Sequence, residues 1–519
     1  ERTWLISSIA ILLIAAFLRL YDLDLVPLHH DEGVNGNFLV RLVREGAYQY
    51  DPQNYHGPTL YYFSAIIPWI LRFLFGQSAQ NTYGLTTFTI RLIPALFGLA
   101  TIWLVLLLRR RLGTVGALCA AGLLAISPGA VYLSRYFIHE TLFTFFTLGL
   151  VVAALKFYED GHAIYLILAS ISAALLFATK ETAFVSAAVL LIAFASTRVY
   201  LWLRNGKRRR RTSQRQENAA GWTAFLERVG GPWSLAVWSL VAIAVFIGVN
   251  FVFYSSFNTN PKGVSDALRT FQFWTKTGKE AHVHSLTTYV WWLFSQESLL
   301  LFFGAIGAAL VVWKPKNSFA LFSALWAFGL LAAYSLIAYK TPWLALNFIV
   351  PLTLIAGYVF QVVYQASWSR LTIALGVVAV AVSGYQTIDL NFFNYDNDDQ
   401  YYVYVYAHTR RDLLKLVETR ERIAKQGQGD LTGITIVSPD YWPLPWYLRN
   451  YSRVGYFARM AESSEPLIIA SESQKAEIQE KFGFRYKQIP SGLNQAGSFP
   501  LRPGVNLMLY VRRDVAPPG

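Results

Sequence analysis

Residues 4–33 read WLISSIAILLIAAFLRLYDLDLVPLHHDEG. The apolar run at 4–21 is long enough for a helix to cross a bilayer. About ten residues after this run come two imidazoles and two carboxylates in succession, His29-His30-Asp31-Glu32. Charged groups this close to hydrocarbon are costly to place and are usually functional. The stretch therefore predicts a membrane protein with the acidic edge of a site at the membrane.

The composition of the chain is that of a protein with many membrane spans. Of its 519 residues, 54% are hydrophobic and 15% are charged, and the mean hydropathy is +0.35. Soluble domains carry roughly 25% charged residues. Much of the net charge of +14 lies in short basic runs beside apolar segments, which is typical of topology signals and lipid contacts rather than of nucleic-acid binding. The single cysteine, Cys119, allows no intrachain disulfide.

Hydropathy predicts eleven transmembrane helices. Their approximate bounds are 4–21, 91–108, 112–133, 138–156, 162–178, 182–203, 233–254, 297–313, 318–338, 343–364 and 369–386. Four basic loops then fall on one face of the membrane: Arg109–Arg111, Lys207–Arg211, Lys314 with Lys316, and Arg370. Under the positive-inside rule this face is cytoplasmic. The N-terminus is then inside, and the chain after residue 386 is outside.

The same topology places four polar clusters on the outer face. They are loop 22–90 with Asp31, Glu32 and His56, residues 134–140 with Arg135, His139 and Glu140, residues 179–181 with Lys180, and residues 339–343 with Lys340. Hydropathy alone does not require clusters so far apart in sequence to share a face. Their agreement predicts a single site at the outer membrane surface.

Two stretches of loop 22–90 predict helices that lie in the membrane interface. Residues 33–46 are amphipathic and end at Gly46, a plausible C-cap. Residues 59–75 are apolar and aromatic, but Pro68 and Arg72 argue against a membrane span. The alternative is a twelfth span over 59–75, which would move every later loop to the opposite face.

After residue 386 the hydropathy changes, which predicts a membrane domain over 1–386 and a second domain over 387–519. Helical patterns at 408–425 and near 473–482 alternate with strand-like runs at 433–438, 466–470, 484–489 and 506–512. The aromatic stretch at 440–447 predicts packing against the membrane domain. The predicted fold class is a polytopic all-α membrane protein with a small extracytoplasmic C-terminal α/β domain.

Metal-binding patterns in the sequence are weak. His282 and His284 lie two residues apart with no third ligand in view. Residues 394–399 resemble a calcium loop but lack its glycine and its terminal glutamate. No cofactor follows from these patterns, and a divalent metal stays an open alternative.

The outer polar clusters have the chemistry that sugar transfer needs. A carboxylate can act as general base toward a hydroxyl, and cationic side chains can stabilise a leaving phosphate. A polyprenyl-phosphate sugar has its tail in the bilayer and its reacting carbon at the interface. The sequence contains no convincing Gly-rich nucleotide loop. The charges lie at the ends of the spans rather than in their middles, which favours interfacial chemistry over translocation.

The order of these motifs resembles that of the GT-C membrane glycosyltransferases. The motifs are His30-Asp31-Glu32, His56-Gly57-Pro58-x-x-Tyr61-Tyr62, residues 91–98, Ser134-Arg135-Tyr136 with Glu140, and residues 178–182. The likeness is to the dolichyl-phosphate-mannose protein mannosyltransferase-like branch and its bacterial and archaeal flippase-associated group. Lys340-Thr341-Pro342-Trp343 and residues 443–451 also resemble this group. The resemblance covers nearly the whole chain and is strongest over 20–185.

The resemblance implies a hexosyltransferase that takes its sugar from a polyprenyl phosphate. Asp31 would bind or deprotonate the acceptor with Glu32 beside it, and Glu140 would be a second catalytic carboxylate. His56 stands where the family has a basic residue facing the donor phosphate. The other implied substrate-binding residues are Arg135, His139, Lys180, Tyr61 and Lys340. The acceptor is a protein, a lipid or a glycan, and the expected location is the plasma membrane with the active site outside.

Each of these interpretations has an alternative. Asp31 and Glu32 also fit the N-terminal turn of a helix, Arg135 can reach lipid headgroups, and Lys180 can form a structural ion pair with Glu181. His56 can be an ordinary loop histidine. The alternatives for the whole protein are a lipid or glycan flippase and a non-catalytic assembly subunit. Scarce charges in the middle of the spans argue against the first, and the acidic residues argue against the second.

Overall fold

A computed structural model describes residues 1–46, 48–54, 56–76, 84–206, 214–274, 283–396 and 401–515. The chain forms two compact units. The helical unit comprises residues 1–21, 47–63 and 91–393, and the sheet unit comprises residues 22–46, 64–90 and 394–519. The predicted boundary after residue 386 assigns all of loop 22–90 to the membrane domain, whereas most of this loop belongs to the sheet unit.

The first eighteen helices form the helical unit, except for α2, most of α3 and the first turn of α4. They are α1 Arg2–Leu20, α2 His30–Glu45, α3 Thr59–Phe75, α4 Thr87–Leu107, α5 Arg109–Leu112, α6 Thr114–Ala125, α7 Pro128–Ser134, α8 Glu140–Asp160, α9 Ala163–Phe177, α10 Ala183–Gly206, α11 Gln214–Val229, α12 Gly231–Tyr254, α13 Lys262–Trp274, α14 Thr288–Gln296, α15 Ser298–Trp313, α16 Ser318–Leu336, α17 Leu346–Gln365 and α18 Ser369–Ile388. A 3-10 turn, Pro342–Ala345, leads into α17, and a π-helical turn, Asp389–Phe393, follows α18.

Within the described ranges, eight helices are long and apolar enough to cross a membrane: α1, α4, α8, α10, α12, α16, α17 and α18. Two further pairs qualify together but are bent, α6 with α7 by 59° and α14 with α15 by 114°. The one remaining predicted span, 162–178, corresponds to α9, which is apolar but has only 15 residues. The prediction of a polytopic helical membrane protein is therefore confirmed, and three of the eleven predicted spans are bent or short.

Polar side chains accompany both bends. Ser127 caps the N-terminus of α7, and the guanidinium of Arg19 donates to the last two carbonyls of α6 at 3.0 Å each. Glu297 lies at the bend between α14 and α15, where its carboxylate accepts from Ser127 Oγ at 2.7 Å and from the backbone N–H of Gly129 at 2.9 Å. Backbone groups freed by a helix break need such partners when water is scarce.

The two helices predicted in loop 22–90 both form. The first is α2, which starts at His30 rather than at residue 33 and ends at Gly46 with φ +67°. Asp31 and Glu32 therefore lie in its first turn. The second is α3, a single helix of 17 residues that contains Pro68. Its place in the membrane interface stays a prediction.

The C-terminal part of the chain is the predicted α/β domain. Its strands are β1 Ile434–Ile436, β2 Val454–Tyr456, β3 Leu467–Ser471, β4 Tyr486–Ile489, β5 Phe499–Arg502 and β6 Val505–Arg512, and its helices are α19 Asp412–Gln426, α20 Leu444–Tyr447 and α21 Lys475–Phe482. The strand order is β2-β1-β3-β6-β4, with β5 paired to β6. Strand β1 is parallel to β2 and β3, and the other pairs are antiparallel. The prediction missed β2 and β5.

The central strands of this sheet are buried on both faces. Ile469 of β3 belongs to a core cluster with Leu416 of α19, whereas the adjacent Ile468 belongs to a second cluster with Phe482 of α21. Alternate side chains of a strand point to opposite faces, which explains why β3 and β6 are apolar almost throughout. One helix thus covers each face of the sheet.

Within the sheet unit, helix α2 packs against Pro443 and Trp446 through two glycines. A Cβ on Gly33 would lie 2.6 Å from Cβ of Pro443, and one on Gly36 would lie 2.7 Å from the ring of Trp446. Any larger residue at either position would push α2 away. The aromatic stretch at 440–447 therefore packs, within the sheet unit, against the helix that carries Asp31.

The predicted topology can be tested by cysteine labelling in a Cys119→Ala background. The loop Lys207–Arg211 lies outside the described residues, but Lys316 and Gln53 are exposed and belong to loops predicted on opposite faces. We expect a membrane-impermeant maleimide to label Gln53→Cys in intact cells and to label Lys316→Cys only after permeabilisation. Labelling of Lys316→Cys from outside would contradict the predicted orientation.

Candidate active site

Two polar segments of the helical unit pair as a short antiparallel bridge. His56 lies opposite Lys180, and the backbone N–H of Gly57 donates to the carbonyl of Thr179 at 3.0 Å. A Cβ on Gly57 would lie 2.0 Å from the carbonyl oxygen of Ala178, so only glycine fits. This close approach explains why the His-Gly-Pro motif lies beside the Thr-Lys-Glu motif, although more than a hundred residues separate them in sequence.

The centre of this cluster is a buried ion pair between Lys180 and Glu140. Lys180 Nζ donates to Glu140 Oε1, and the two side chains are 5% and 4% exposed. Burial alone would lower the pKa of Lys180, but the carboxylates of Glu140 and Glu181 outweigh it and raise the pKa above its ordinary value. Because the folded-state pKa is raised, the stabilisation is present at neutral pH and is lost only as pH rises through that strongly alkaline value.

A second ion pair lies beside the first. His56 Nδ1 is 3.2 Å from Glu181 Oε2, with the histidine side chain 27% exposed and the glutamate 4% exposed. The expected alternative, a pair between Lys180 and Glu181, is replaced by two pairs in which each basic residue has its own hydrogen-bonded carboxylate. Of the four side chains, only His56 is substantially accessible.

His139 joins the cluster as a neutral imidazole. Its Nε2 lies 3.0 Å from the carbonyl oxygen of Gly57, so this nitrogen carries the proton and donates it. Its ring is 4.9 Å from that of His56 and 5.5 Å from that of Tyr61. Burial, helped by the nearby charges of His56 and Lys180, lowers the pKa of His139 well below its ordinary value. His139 can therefore accept a hydrogen bond at Nδ1 but does not add a positive charge.

Arg135 and Lys340 have other partners. The guanidinium of Arg135 donates to the carbonyls of Leu18 and Tyr21, at the end of α1, at 3.2 and 2.6 Å. Lys340 Nζ donates to the carbonyls of Ile337 at 2.6 Å and His284 at 3.4 Å. The structure thus brings Glu140, His56, His139, Lys180 and Tyr61 together, whereas Arg135 and Lys340 contact backbone carbonyls elsewhere in the helical unit.

Asp31 and Glu32 lie in the sheet unit, where the structure gives them different environments. The carboxylate of Glu32 accepts from the backbone N–H of His29 at 3.0 Å and completes a capping box at the start of α2. Glu32 is fully buried, while Asp31 is partly exposed. Glu32 therefore fits the alternative in which these acids stabilise the N-terminal turn of a helix. Asp31 is the more accessible carboxylate of the two.

The site residues predicted from the sequence did not include Glu181, and the metal-binding patterns in the sequence were weak. Glu181 was detectable because it directly follows Lys180, but its partner His56 is distant in sequence. In the described part of the chain, no group of three or more His, Cys, Asp or Glu residues could hold a metal ion. Of the two histidines in the weak metal pattern, His282 lies outside the described residues.

Comparison with solved structures identifies the fold. The chain superposes on ArnT from Cupriavidus metallidurans bound to undecaprenyl phosphate with a TM-score of 0.66, 13% sequence identity and 100% coverage of both chains. It also matches the Archaeoglobus fulgidus oligosaccharyltransferase AglB in complex with an inhibitory peptide and a dolichol-phosphate, with a TM-score of 0.53, 14% identity, and 91% and 70% coverage of this chain and that chain. The chain has the GT-C fold.

Sequence comparison agrees with the GT-C fold over part of the chain. Residues 65–210 match the family described as dolichyl-phosphate-mannose-protein mannosyltransferase. A search of curated proteins found no match. The matched range contains His139, Glu140, Lys180 and Glu181, so four residues of the buried cluster lie in the segment that carries the family likeness.

Proposed function

We propose that the protein transfers a sugar from a polyprenyl-phosphate donor to a hydroxyl acceptor at the outer face of the membrane. The observation that carries this proposal is the double ion pair of Glu140, Lys180, His56 and Glu181, which lies where membrane helices of a GT-C fold begin and end. The solved ArnT and AglB structures contain undecaprenyl phosphate and dolichol-phosphate. These ligands support the same class of donor here.

The proposed reaction is a displacement at the anomeric carbon. The acceptor hydroxyl oxygen forms a bond to this carbon while the bond between the carbon and the donor phosphate oxygen breaks. The hydroxyl proton passes to a carboxylate, for which Asp31 is our candidate, and the polyprenyl phosphate leaves with the electron pair of the broken bond. A general base in this role typically contributes a factor of about 10² to 10⁴ in rate.

We assign the donor phosphate to His56 rather than to Lys180. Both side chains already contact a carboxylate, but only the imidazole of His56 is exposed enough to meet a ligand. Lys180 and Glu140 are buried together, so their role is to fix the segment that carries Glu181, which in turn orients His56. A protonated imidazole can then donate from Nε2 to a phosphate oxygen.

Three further residues of the predicted site have more limited proposed roles. Lys340 is a weaker candidate for the phosphate than His56, because it is fully buried and its ammonium group donates to two backbone carbonyls. Arg135 caps the end of α1, which gives it a structural role whether or not it also meets the donor. Tyr61 is fully buried and its ring meets that of His139 edge-on, so we assign it a role in holding the imidazole in place.

The assignment of His56 predicts how the protein binds undecaprenyl phosphate. Replacing His56 by Ala removes a charge-assisted hydrogen bond and should weaken binding by about tenfold or more, while His56→Lys should keep most of the affinity. Fluorescence or calorimetric titration of protein in lipid nanodiscs measures each affinity.

A matched control is Gln53→Ala, an exposed residue in the same loop, which should bind undecaprenyl phosphate like the wild type. Equal affinities of His56→Ala and wild type would remove His56 from the donor site. Failure of the wild type to bind any polyprenyl phosphate would count against the proposed donor class itself.

A further inference from the structure

We propose that His29 is a positioning residue through which the C-terminal part of the chain fixes the turn that carries Asp31. This inference rests on the proposed catalytic role of Asp31. It concerns the sheet unit alone, in which residues 22–46 and 394–519 pack together. The C-terminal domain is then part of the catalytic apparatus and not an appendage to the membrane helices.

Both nitrogens of the His29 ring are used, and their partners fix its tautomer. Nδ1 accepts a hydrogen bond from the backbone N–H of Asp31 at 3.1 Å. Nε2 lies 3.1 Å from the carbonyl oxygen of Tyr406, which can only accept, so Nε2 carries the proton. His29 is 3% exposed, so water does not readily replace either contact. The ring connects the first turn of α2 to a residue 377 positions away in sequence.

Helix capping alone does not explain this arrangement. An N-cap needs one side-chain acceptor, and Ser, Thr, Asp and Asn supply it with a short side chain. The backbone half of the capping box is already completed by Glu32. The longer imidazole adds the contact to Tyr406, which does nothing for the helix terminus. What this contact does is tie the cap, and hence the backbone of Asp31, to the segment that precedes α19.

Neighbouring residues hold the same turn from other directions. The backbone N–H of Leu28 donates to the hydroxyl of Tyr447 at 3.0 Å. The ring of His29 stacks on that of His408 with centroids 5.7 Å apart, and Gly33 lies against Pro443. These contacts all come from residues after 400. In this setting Glu32 is buried and Asp31 is partly exposed, so Asp31 is the carboxylate that a substrate can reach.

A fixed turn matters because a general base must lie within hydrogen-bond reach of the proton that it removes. A displacement of about 1 Å can cost roughly a hundredfold in rate. Loss of the Tyr406 contact frees the cap from the C-terminal segment without removing any group that touches the substrate. The expected defect is therefore in turnover and not in donor binding.

The test is a double-mutant cycle in the full-length protein. His29→Asn retains a capping oxygen but is too short to reach the Tyr406 carbonyl. We expect it to keep the wild-type unfolding temperature within a few degrees and to bind undecaprenyl phosphate normally, while turnover falls by roughly tenfold to a hundredfold. In the Asp31→Asn background, His29→Asn should cause no further loss beyond twofold, because the carboxylate that it positions is already absent.

His162→Asn is the matched control, since His162 is also an N-cap histidine, at α9, but its side chain makes no capping hydrogen bond. It should have wild-type turnover. Wild-type turnover of His29→Asn, or a full multiplication of its defect with that of Asp31→Asn, would overturn the positioning role. Wild-type turnover of Asp31→Asn would instead refute the role of Asp31 on which the inference rests.

Discussion

Asp31→Asn is expected to lower turnover by about two orders of magnitude or more. The substitution preserves the size of the side chain but removes its basicity, so the acceptor hydroxyl loses its proposed proton acceptor. Because Asp31 is partly exposed and contributes only its backbone N–H to the contact with His29, the fold should be retained. Steady-state release of polyprenyl phosphate, with donor and acceptor both saturating, measures the effect.

Two carboxylates of the same helix serve as controls for Asp31. Glu45 lies exposed in the last turn of α2, and Glu45→Gln should have wild-type turnover. Glu32→Gln should retain most of the turnover, because glutamine also completes a capping box, whereas a fall as large as that of Asp31→Asn would establish Glu32 as a second catalytic carboxylate. Wild-type turnover by Asp31→Asn would remove Asp31 from the mechanism.

The largest expected effect on stability comes from the ion pair of Lys180 and Glu140. Lys180→Met leaves the carboxylate of Glu140 buried without its cation, and breaking a buried pair from one side costs about 3–5 kcal/mol. Both side chains are at most 5% exposed, so solvent screens little of this cost. Thermal unfolding in lipid nanodiscs should show a clear drop in the unfolding temperature at neutral pH.

The double variant separates stability from function at this pair. Lys180→Met with Glu140→Met removes both charges and should recover most of the lost stability, since hydrophobic residues of similar volume can often replace a buried ion pair without loss. Turnover should stay low if the pair holds Glu181 and His56 in place as we propose. Lys316→Met, at an exposed lysine, is the control. An unchanged unfolding temperature in Lys180→Met would contradict the ion pair itself.

The membrane helices could be predicted from sequence because hydrophobic length is a direct physical requirement of the bilayer. The bends were harder to predict. Ser127 and Pro128 are helix-start signals, but they lie inside a continuous apolar run, and hydropathy averages over such a break. At the second bend, Glu297 accepts a hydrogen bond from Ser127, a contact between distant residues that no local pattern reveals.

The candidate site was only partly predictable for the same reason. Adjacent residues such as Lys180 and Glu181 suggest a pair, yet the structure joins Lys180 to Glu140 and Glu181 to His56. Glycine at position 57 permits the close backbone approach that brings His56 opposite Lys180, and the segment that pairs with it cannot be identified from the sequence. Likewise, the acids of α2 were visible, but the carbonyl of Tyr406 behind His29 was not, since any residue supplies a carbonyl.

Glycosyl transfer from a polyprenyl phosphate is tested most directly by measuring release of the lipid phosphate. Purified protein in lipid vesicles is incubated with a panel of undecaprenyl-phosphate sugars and candidate protein, lipid and glycan acceptors, and free undecaprenyl phosphate is quantified by mass spectrometry. We expect at least one donor to yield undecaprenyl phosphate in equal amount to the transferred sugar, with turnover strongly reduced in Asp31→Asn. Movement of intact donor between leaflets, or binding of donors with no release under any condition, would contradict the claim and favour a flippase or an assembly subunit.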